Sequence, residues 1–283
     1  MSLAAAAPRY AVVGHPVSHS LSPRIHRAFS AQTGDAIVYE RLPAPLDGFV
    51  STVERFFAEG GRGLNVTVPF KREAFACCGD RLSVRARRAG AVNLLTREAD
   101  GLAGDNTDGA GLVVDLERLA ARHGFAIDGA EVLVVGAGGA ARGIVGPLVD
   151  VGACVTIVNR DVGRAGALVA DVAVSATVTS FETLHTCRFD VIVNATSASL
   201  AEQSLPLAPV VYAEARLAYD LMYAATPTRF MRDAQAGGAH AVSDGLGMLV
   251  EQAAESFAIW RGIRPDTGPV LAALRASLTK AAA

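Results

Sequence analysis

Short apolar runs alternate with longer amphipathic stretches along the first part of the chain. Tyr10–Val13 and Ile37–Leu42 have the length and composition of buried strands, and the segments Ser22–Gly34 and Leu46–Glu59 that follow them have apolar residues at helical spacing. A repeated order of strand and helix predicts an α/β architecture with a central sheet.

The same alternation continues in the second half, where the strands are more uniformly apolar. Glu131–Val135, Cys154–Val158, Asp190–Ser197 and Ala218–Tyr223 are predicted strands with helical segments between them, and the third ends in polar residues. Strands that are apolar on both faces and are joined through helices predict a parallel, doubly wound sheet. Such a sheet binds its ligand at the carboxyl ends of the strands.

Composition and charge bound the class of protein. The chain has 283 residues, of which 51% are hydrophobic and 19% charged, and its net charge is −2. These values are typical of a compact protein with two domains. We expect no nucleic-acid partner because the charge is near neutral, and no membrane partner because no apolar run approaches the roughly 18 residues that span a bilayer.

The four cysteines show neither a CxxC pair nor the spacing of metal ligands. We therefore expect free thiols in a reducing cytoplasm and no metal site. The alanine-rich segment Met1–Pro8 lacks the basic residues of a signal peptide, and we expect it to be a disordered tail.

Serines gather in the loop that follows the first predicted strand. Ser22 precedes Pro23 at the start of a predicted helix, which favours a capping role for the Ser22 hydroxyl. Ser20 has no capping role in this prediction, so its hydroxyl is available to a polar ligand. Helix capping and ligand binding both stay open for this loop.

A second polar cluster lies on the predicted strand Gly63–Pro69. Alternation places Asn65 and Thr67 on one face, opposite an apolar face that includes Val68. Lys71 follows directly after the strand. A solvated surface position is the ordinary role of a lysine, but the position beside two polar side chains favours a functional role.

Asn93 lies within the apolar stretch Ala91–Leu95, which is also predicted to be a strand. An amide in the middle of a strand is unfavourable and needs a hydrogen-bond partner when it is buried. Together with the two preceding clusters, Asn93 indicates a binding site for a small ligand that carries several hydroxyl groups.

The polar segment Gly104–Gly109 separates the two halves of the chain. It is either a plain linker or the lip of a cleft between two domains. Thr107 or Asp108 can cap the helix that follows, because both residue types accept hydrogen bonds from the amides of the first turn. Thr107 is the better candidate for the cap, which leaves Asp108 for chemistry.

A glycine-rich turn follows the strand Glu131–Val135 and begins a helix. Gly136, Gly138 and Ala141 match the G-x-G-x-x-A form of the dinucleotide-binding fingerprint. The glycines allow the backbone to approach a pyrophosphate at the amino terminus of a helix. The strand–turn–helix–strand context makes a glycine turn without a ligand the minor alternative.

The residues after Val158 bear on the choice of nucleotide. An NAD site usually has an acidic residue about 20 residues after the glycines, whereas this chain has Asn159 and Arg160, with Arg164 nearby. The two arginines favour the 2′-phosphate of NADP. Asp161 carries a charge that repels a phosphate, which leaves NAD open as an alternative.

A helix predicted to begin after Ser243 carries Val250, Ala253 and Phe257 on one face. Gln252 lies off the centre of this apolar stripe. The pattern alone therefore predicts an exposed side chain for Gln252.

Taken together, these segments resemble the shikimate dehydrogenase family. The matching motifs, in the order of the family, are SHSLSP at 18–23, NVTVPFK at 65–71, GAVN at 90–93, GDNTDG at 104–109, GAGGA at 136–140 and DGLGMLV at 244–250. They extend over nearly the whole chain.

The resemblance implies two α/β domains flanking a cleft. Residues 1–107 plus 245–283 would form the substrate-binding domain, and residues 108–244 a Rossmann-type domain with a doubly wound parallel sheet. It also implies the reversible NADPH-dependent reduction of 3-dehydroshikimate to shikimate, a step in the biosynthesis of aromatic amino acids.

The resemblance further assigns roles by matching position. The implied catalytic pair is Lys71 and Asp108. The implied substrate-binding residues are Ser20, Ser22, Asn65, Thr67, Asn93, Tyr223 and Gln252. The implied cofactor-binding residues are Gly136, Ala137, Gly138, Gly139, Ala140, Asn159, Arg160, Arg164, Gly245 and Met248.

Two residues depart from the pattern of the family. Asp161 stands where NADP-using members commonly have threonine, and Ser199 stands where glycine is frequent. The alternatives are a quinate/shikimate dehydrogenase with a broader substrate range and NAD use, and a non-catalytic nucleotide-sensing protein on the same scaffold. The implied partner is a small-molecule substrate, and the chain is expected to be a monomer or a homodimer.

Overall fold

The computed structural model describes residues 7–282, without the side chains of residues 281 and 282. Most of the predicted disordered tail lies outside the described residues. Pro8 is within them, and its carbonyl accepts a hydrogen bond from the Val38 amide at 3.0 Å. The chain divides into two compact units. The first is the chain up to Thr107 with Gln252–Val270, and the second is Asp108–Glu251 with the chain from Leu271.

The first unit contains five strands and four complete helices among its described residues. In chain order they are β1 (Arg9–Gly14), α1 (Ser22–Thr33), β2 (Val38–Pro43), α2 (Phe49–Ala58), β3 (Gly61–Val66), α3 (Lys71–Ala76), α4 (Val84–Ala89), β4 (Leu94–Glu98) and β5 (Gly101–Asp105).

The sheet of the first unit has the strand order β2-β1-β3-β4-β5. The pairs β1/β2 and β1/β3 are parallel, whereas β3/β4 and β4/β5 are antiparallel. One face packs on a buried cluster that includes Phe49, Phe56 and Phe70. The other carries His26 and Phe29 of α1, which lie against Phe257. Both faces of this sheet are therefore covered.

The second unit contains the remaining elements. They are α5 (Asp108–Arg122), β6 (Glu131–Val135), α6 (Gly139–Asp150), β7 (Cys154–Val158), α7 (Val162–Val172), β8 (Thr177–Thr179), β9 (Val191–Asn194), α8 (Pro209–Tyr212), β10 (Leu217–Asp220), α9 (Arg229–Ala236), β11 (Val242–Asp244), α10 (Leu246–Arg261) and α11 (Gly268–Ala282). Helices α10 and α11 contribute residues to both units.

The six strands of the second unit are all parallel, in the order β11-β10-β9-β6-β7-β8. Counted within the unit, this is the order 6-5-4-1-2-3 of a dinucleotide-binding sheet. Val132 and Val134 of β6 lie in one buried cluster, and Leu133 and Val135 lie in another. Successive side chains of a strand point to opposite faces, so both faces are buried. The predicted α/β class with a Rossmann-type sheet is confirmed.

Several predicted elements have different bounds in the structure. Strand β3 ends at Val66, and Val68 is 69% exposed, so the prediction that Val68 continues the apolar face was wrong. Helix α2 begins at Phe49, three residues later than predicted. Both changes occur at tight turns. The apolar side chains of turn residues do not belong to the periodic face of the neighbouring strand or helix, so the element is shorter than its apolar pattern indicates.

The junction between the halves is more ordered than its polar sequence indicates. Gly104 and Asp105 belong to strand β5, which pairs with β4 in a hairpin. A Cβ at Gly104 would lie 2.6 Å from the Cys78 sulfur and 2.8 Å from Val92, so glycine permits a close approach of the chain. Only residues 106 and 107 separate this strand from α5.

The two compact units share the predicted break after Thr107. They assign residues 245–251 and 271–283 to the second unit, whereas the sequence placed these residues in the substrate-binding domain. The division into functional domains stays a prediction. In the part of the chain that the structure describes, no helix has the length and hydrophobicity needed to cross a bilayer.

Candidate functional site

The loop after β1 brings the two predicted serines together. The Ser20 hydroxyl donates to the Ser22 hydroxyl at 3.2 Å, and the Ser22 amide donates to Ser20 Oγ at 3.3 Å. Ser22 is the first residue of α1 and makes no side-chain cap, while Leu21 precedes the helix. The predicted capping role of Ser22 was therefore wrong, and Ser20 is the residue that accepts an amide of the first turn.

Arg41 of β2 holds this loop in place. Its guanidinium donates to the Ser20 carbonyl oxygen at 2.7 Å and 3.1 Å. The contact joins the loop after β1 to the neighbouring strand. It therefore fixes the backbone that carries the Ser20 hydroxyl.

Asn65 lies near the end of β3 and is buried. Its side-chain oxygen accepts a hydrogen bond from the Tyr39 hydroxyl at 2.7 Å, and its side-chain nitrogen donates to the Ser256 hydroxyl at 2.9 Å. Both partners were missed by the sequence analysis. Tyr39 gave no signal beyond its place in a strand, whereas Ser256 follows Gln252 by one helical turn, a spacing that could have indicated a shared polar face.

Asn93 directly precedes β4 rather than lying inside a strand, so that prediction was wrong. Its backbone carbonyl accepts from the Val66 amide at 2.8 Å, and its backbone amide donates to the Asp105 carbonyl at 3.0 Å. Its side chain accepts from the Thr107 amide at 2.8 Å and donates to the Thr107 hydroxyl at 3.0 Å. Asn93 therefore ties three segments of the first unit together.

Gln252 is buried, with 8% of its surface exposed, so the predicted exposed position was wrong. Its side-chain oxygen lies 3.4 Å from the Thr107 hydroxyl, which is also 3.3 Å from the Ser256 hydroxyl. The Ser256 hydroxyl donates to the Gln252 backbone carbonyl at 2.8 Å. The Ser22 side chain also hydrogen-bonds to Tyr39. The first unit thus brings most of the predicted substrate-binding residues into one connected polar group, which is linked through Tyr39, Ser256 and Thr107: Ser20, Ser22, Asn65, Asn93 and Gln252.

Thr67 and Lys71 follow β3 in a short turn. The Thr67 amide donates to the Val13 carbonyl at 2.9 Å, and a Cβ at Gly14 would lie 2.4 Å from the Thr67 methyl group. Lys71 begins helix α3, and its backbone carbonyl accepts from the Val92 amide at 2.9 Å. The backbone of both residues is therefore fixed just after the carboxyl end of β3.

A separate cavity of about 680 Å³ lies where β1 and β3 begin. It is lined by Arg9, Tyr10, Arg62, Trp260 and other residues, none of which is a predicted substrate-binding residue. The connected polar group and this cavity are thus different features of the first unit.

The glycine-rich turn of the second unit combines a left-handed backbone at Gly136 with open space at Gly138 and Gly139. Gly136 has a φ of +112°, and a Cβ there would lie 2.9 Å from the Thr196 methyl group. Cβ atoms at Gly138 and Gly139 would meet nothing within 4 Å, so the space in front of them is open. Helix α6 begins at Gly139 without a side-chain cap. The turn, with Ala137 and Ala140, fits a pyrophosphate.

The segment after β7 places its polar residues around the start of α7. Asp161 caps this helix, because its carboxylate accepts from the Arg164 amide at 3.0 Å. The Asn159 side chain donates to the Asp161 carbonyl at 2.9 Å. Arg160 and Arg164 are exposed, and neither forms an ion pair with a described residue. Asp161 therefore has a structural role that a threonine could also fill.

Ser199, the second departure from the family pattern, contacts a buried carboxylate. Its hydroxyl and the Thr228 hydroxyl both donate to Oδ2 of Asp220 at 2.6 Å. The Asn194 side-chain nitrogen donates to Oδ1 of Asp220 at 3.0 Å. Burial raises the pKa of Asp220, and these donors oppose the shift. Tyr223 follows β10 and is half-buried, close in sequence to this fixed carboxylate.

Replacing Ser199 by alanine should destabilise the protein by about 1–3 kcal/mol near neutral pH, because the buried Asp220 loses one of its donors. The loss should shrink at acidic pH, where the carboxyl is neutral. Urea unfolding at neutral and at acidic pH measures this loss of stability. Ser197→Ala, at an exposed position two residues away, is the matched control. Equal stability of the Ser199 variant and the wild type at neutral pH would contradict a stabilising hydrogen bond from Ser199 to Asp220.

A buried carboxylate also fixes the segment that carries Gly245 and Met248. The Tyr219 hydroxyl donates to Asp115 at 2.8 Å and accepts from the Met248 amide at 3.3 Å. Arg118 binds the other oxygen of Asp115 at 2.5 Å and 3.0 Å. A Cβ at Gly247 would lie 2.1 Å from the Asp115 carboxylate, so only glycine fits there.

The backbone of Gly245 also passes close to β10, since a Cβ there would lie 2.2 Å from the Leu221 carbonyl oxygen. Asp244, just before it, is buried and forms a two-pronged ion pair with Arg275. The predicted nicotinamide-bordering segment is therefore rigidly held within the second unit.

Asp108, the second predicted catalytic residue, is the first residue of α5 and is buried. A carboxylate in the first turn is favourable with the helix dipole. Helix α5 packs closely on α6, because a Cβ at Gly109 would lie 2.3 Å from Pro147 and 2.4 Å from the Gly143 carbonyl oxygen. The backbone of Asp108 is thus fixed relative to the helix that follows the glycine-rich turn.

The six-stranded parallel sheet and its glycine-rich turn give the second unit the topology that is typical of dinucleotide-binding proteins. Comparison with known proteins is more specific. Residues 12–95 match the shikimate dehydrogenase substrate binding domain, residues 118–203 match shikimate / quinate 5-dehydrogenase, and residues 245–275 match the shikimate 5′-dehydrogenase C-terminal domain.

Individual proteins agree over nearly the full chain. Shikimate dehydrogenase (NADP(+)) of Bordetella avium is 53% identical over 277 residues, which are 95% of this chain and 96% of that protein. Two crystal structures are also similar. An enzyme from Pseudomonas putida has a TM-score of 0.89 and 42% identity, with 95% of this chain and 98% of that chain covered.

The second structure is shikimate 5-dehydrogenase from Thermus thermophilus in complex with NADP(H) and shikimate. It has a TM-score of 0.83 and 34% identity, with 95% of this chain and 99% of that chain covered. The chain therefore belongs to the shikimate dehydrogenase family.

Proposed function

We propose that this protein catalyses the reversible NADP-dependent interconversion of shikimate and 3-dehydroshikimate in the biosynthesis of aromatic amino acids. The observation that carries the proposal is the connected polar group of Ser20, Ser22, Asn65, Asn93 and Gln252 in a chain of this family. Shikimate carries three hydroxyl groups and a carboxylate on a ring, and several hydroxyl and amide side chains held in fixed positions suit such a ligand.

Lys71 and Asp108 are the proposed acid–base residues. Oxidation of a ring alcohol breaks one C–H bond and one O–H bond, and bound NADP supplies the hydride acceptor. Lys71 would take the hydroxyl proton and stabilise the oxygen as negative charge develops on it. Asp108 would be the second residue of the pair that manages this proton, as its matching position in the family implies. In the reverse direction Lys71 would return the proton to the oxygen.

The remaining predicted residues are proposed to bind substrate and cofactor. Thr67 and Tyr223 would contact the substrate together with the connected polar group. The turn Gly136–Ala140 would hold the pyrophosphate, for which its open, uncapped helix start is suited. Asn159, Arg160 and Arg164 would hold the adenosine phosphate, and Gly245 and Met248 would border the nicotinamide.

A matrix of two substrates and two cofactors tests the proposal. Purified protein is mixed with shikimate or quinate and with NADP or NAD, and the reduced nicotinamide is followed by its absorbance. The proposal requires turnover of shikimate with NADP. The absence of turnover in every combination would instead support the non-catalytic nucleotide-sensing alternative.

A quinate/shikimate dehydrogenase is the second candidate, because residues 118–203 match a family that covers both substrates. Quinate has one more ring hydroxyl than shikimate, which must be accommodated near Ser20 and Ser22. A kcat/KM for quinate comparable to that for shikimate would favour this candidate.

Replacing Asp161 by threonine should raise the preference for NADP over NAD roughly fivefold, because removing one exposed charge near the proposed phosphate site changes the binding free energy by about 1 kcal/mol. The wild type should already prefer NADP, but weakly. The measured quantity is the ratio of kcat/KM for the two cofactors.

Threonine keeps the cap of α7, so the stability of that variant should stay close to wild type. Asp161→Ala is the control, because it removes the same charge but also the cap. It should shift the cofactor ratio equally while losing about 1 kcal/mol of stability. A clear preference of the wild type for NAD would contradict the assignment.

We further propose a cytoplasmic location and a monomeric or homodimeric state. All four cysteines are free thiols in the structure, as suits a reducing compartment. Size-exclusion chromatography with light scattering distinguishes the two oligomeric states.

A further inference from the structure

The hydrogen bonds around Tyr39 run in one direction. The Ser20 hydroxyl donates to the Ser22 hydroxyl at 3.2 Å, and the Ser22 side chain hydrogen-bonds to Tyr39. The Tyr39 hydroxyl then donates to the side-chain oxygen of Asn65 at 2.7 Å. Each hydroxyl has a single proton, so a hydroxyl that donates to the next side chain in this row can only accept from the side chain before it.

Tyr39 is well placed to keep this direction. Burial raises the pKa of its hydroxyl well above the ordinary value, and the hydrogen bond from Ser22 opposes that shift only in part. The Tyr39 hydroxyl therefore keeps its proton at neutral pH and stays a hydrogen-bond donor. The Tyr39 ring stacks on the buried His26 ring, with 4.0 Å between centroids and 7° between planes.

The opposite side of the Asn65 amide is also held. Its nitrogen donates to the Ser256 hydroxyl at 2.9 Å and lies 3.4 Å from the Asn93 carbonyl oxygen. A side-chain amide can rotate by half a turn and exchange its oxygen and nitrogen. The donor from Tyr39 and the acceptor at Ser256 favour the same orientation, so together they select one of the two.

We propose that Tyr39 is a positioning residue for substrate binding, which fixes the Ser22 hydroxyl and the Asn65 amide in the orientations that a hydroxyl- and carboxylate-bearing ring ligand meets. This inference rests on the proposed function. Tyr39 acts through its two neighbours, and it is missing from every motif that the sequence analysis singled out.

Tyr39→Phe tests the inference, because it removes the hydroxyl and keeps the ring that stacks on His26. The KM for shikimate should rise about five- to tenfold, which is the effect of losing one well-placed hydrogen bond. We expect kcat to stay within about threefold and the KM for NADP to be unchanged, since the hydroxyl makes no contact with the reacting atoms. Titration calorimetry of shikimate without cofactor should show the same loss of affinity.

Tyr10→Phe is the matched control. Tyr10 is the partner of Tyr39 in the register of β1 and β2, and it is buried. Its hydroxyl lies 3.4 Å from Arg261, outside the connected polar group. This variant should leave the KM for shikimate unchanged. If Tyr39 had only a structural role, its variant would lose thermal stability without the change in KM.

A double variant adds a second test. Ser22→Ala and Tyr39→Phe act on the same row of hydrogen bonds, so their effects on KM should be less than additive. Ser256→Ala releases the other side of the Asn65 amide and should raise KM as well. It serves as the test if Tyr39→Phe does not fold.

Two failures can be told apart. If the wild type does not oxidise shikimate with NADP, the proposed function is wrong. If the wild type is active and Tyr39→Phe binds shikimate as the wild type does, by both KM and calorimetry, then the positioning role of Tyr39 is wrong and the proposed function stands.

Discussion

Replacing Lys71 by alanine should lower kcat by about 100-fold or more, the range expected when an acid–base group is lost. The hydroxyl proton would then have no positioned acceptor, and the developing alkoxide would lose the ammonium that forms on Lys71 as the proton is transferred. The expected loss corresponds to at least about 3 kcal/mol of transition-state stabilisation. Because the fixed hydroxyl and amide groups would still bind the ring, the KM for shikimate should change much less than kcat.

Arg72 offers a matched control for Lys71. It is the next residue in α3 and its side chain is exposed. Arg72→Ala removes one positive charge from the same helix but should leave kcat near the wild-type value. Steady-state kinetics with shikimate and NADP measures both variants. Turnover of Lys71→Ala close to wild type would exclude Lys71 as the acid–base residue.

Protonation of His26 should make the protein less stable at acidic pH. Burial lowers the pKa of His26 to about 3, and a contact with the Asn65 side chain opposes the shift in part. Neither ring nitrogen makes a hydrogen bond of ordinary geometry with a described residue. The neutral ring is therefore retained in the folded state, whereas the unfolded chain takes up a proton below about pH 6.5.

The sign of the effect follows from this difference. Between the unfolded and the folded pKa the unfolded state binds more protons, so stability is full above about pH 6.5 and falls as the pH is lowered toward 3. From about pH 7 to about pH 4.5 the contribution of His26 should cost about 3 kcal/mol of unfolding free energy.

His26→Phe isolates this contribution, because it keeps an aromatic ring against Tyr39 and cannot be protonated. Urea unfolding at the two pH values should show a drop in stability that is about 3 kcal/mol smaller in the variant than in the wild type. His123→Gln is the control, since its side chain is exposed. An identical pH dependence of His26→Phe and wild type would show that His26 does not remain neutral in the folded protein.

The parallel sheet of the second unit was the part of the fold most readily predicted from sequence. Its strands are apolar on both faces, and the short uniform runs Glu131–Val135 and Cys154–Val158 were predicted with the observed bounds. The predicted strands at 190–197 and 218–223 are the shorter strands β9 and β10, and β8 and β11 were not predicted. The hairpin of β4 and β5 was not foreseen, because β5 contains Gly101 and Gly104, which have low strand propensity. Close packing of the hairpin compensates for that propensity.

The candidate site was predictable where a residue type has few structural roles. The glycine-rich turn and the polar residues near strand ends were identified, whereas Ser22 was expected to cap α1, a helix that has no side-chain cap. Gln252 was expected to be exposed, because helical periodicity describes how apolar residues cluster and carries no information about polar partners on another element. Tyr39 was missed for the same reason, since its partner Asn65 is distant in sequence.

The contact between Gly247 and Asp115 has a consequence for the way the chain can vary. The Asp115 carboxylate is held by Arg118 and Tyr219 and occupies the space of a Cβ at position 247. Positions 115 and 247 are therefore coupled: an alanine at 247 is compatible with this backbone only if residue 115 becomes smaller or turns away. Redesign of the segment beside Met248 for another cofactor has to change both positions together.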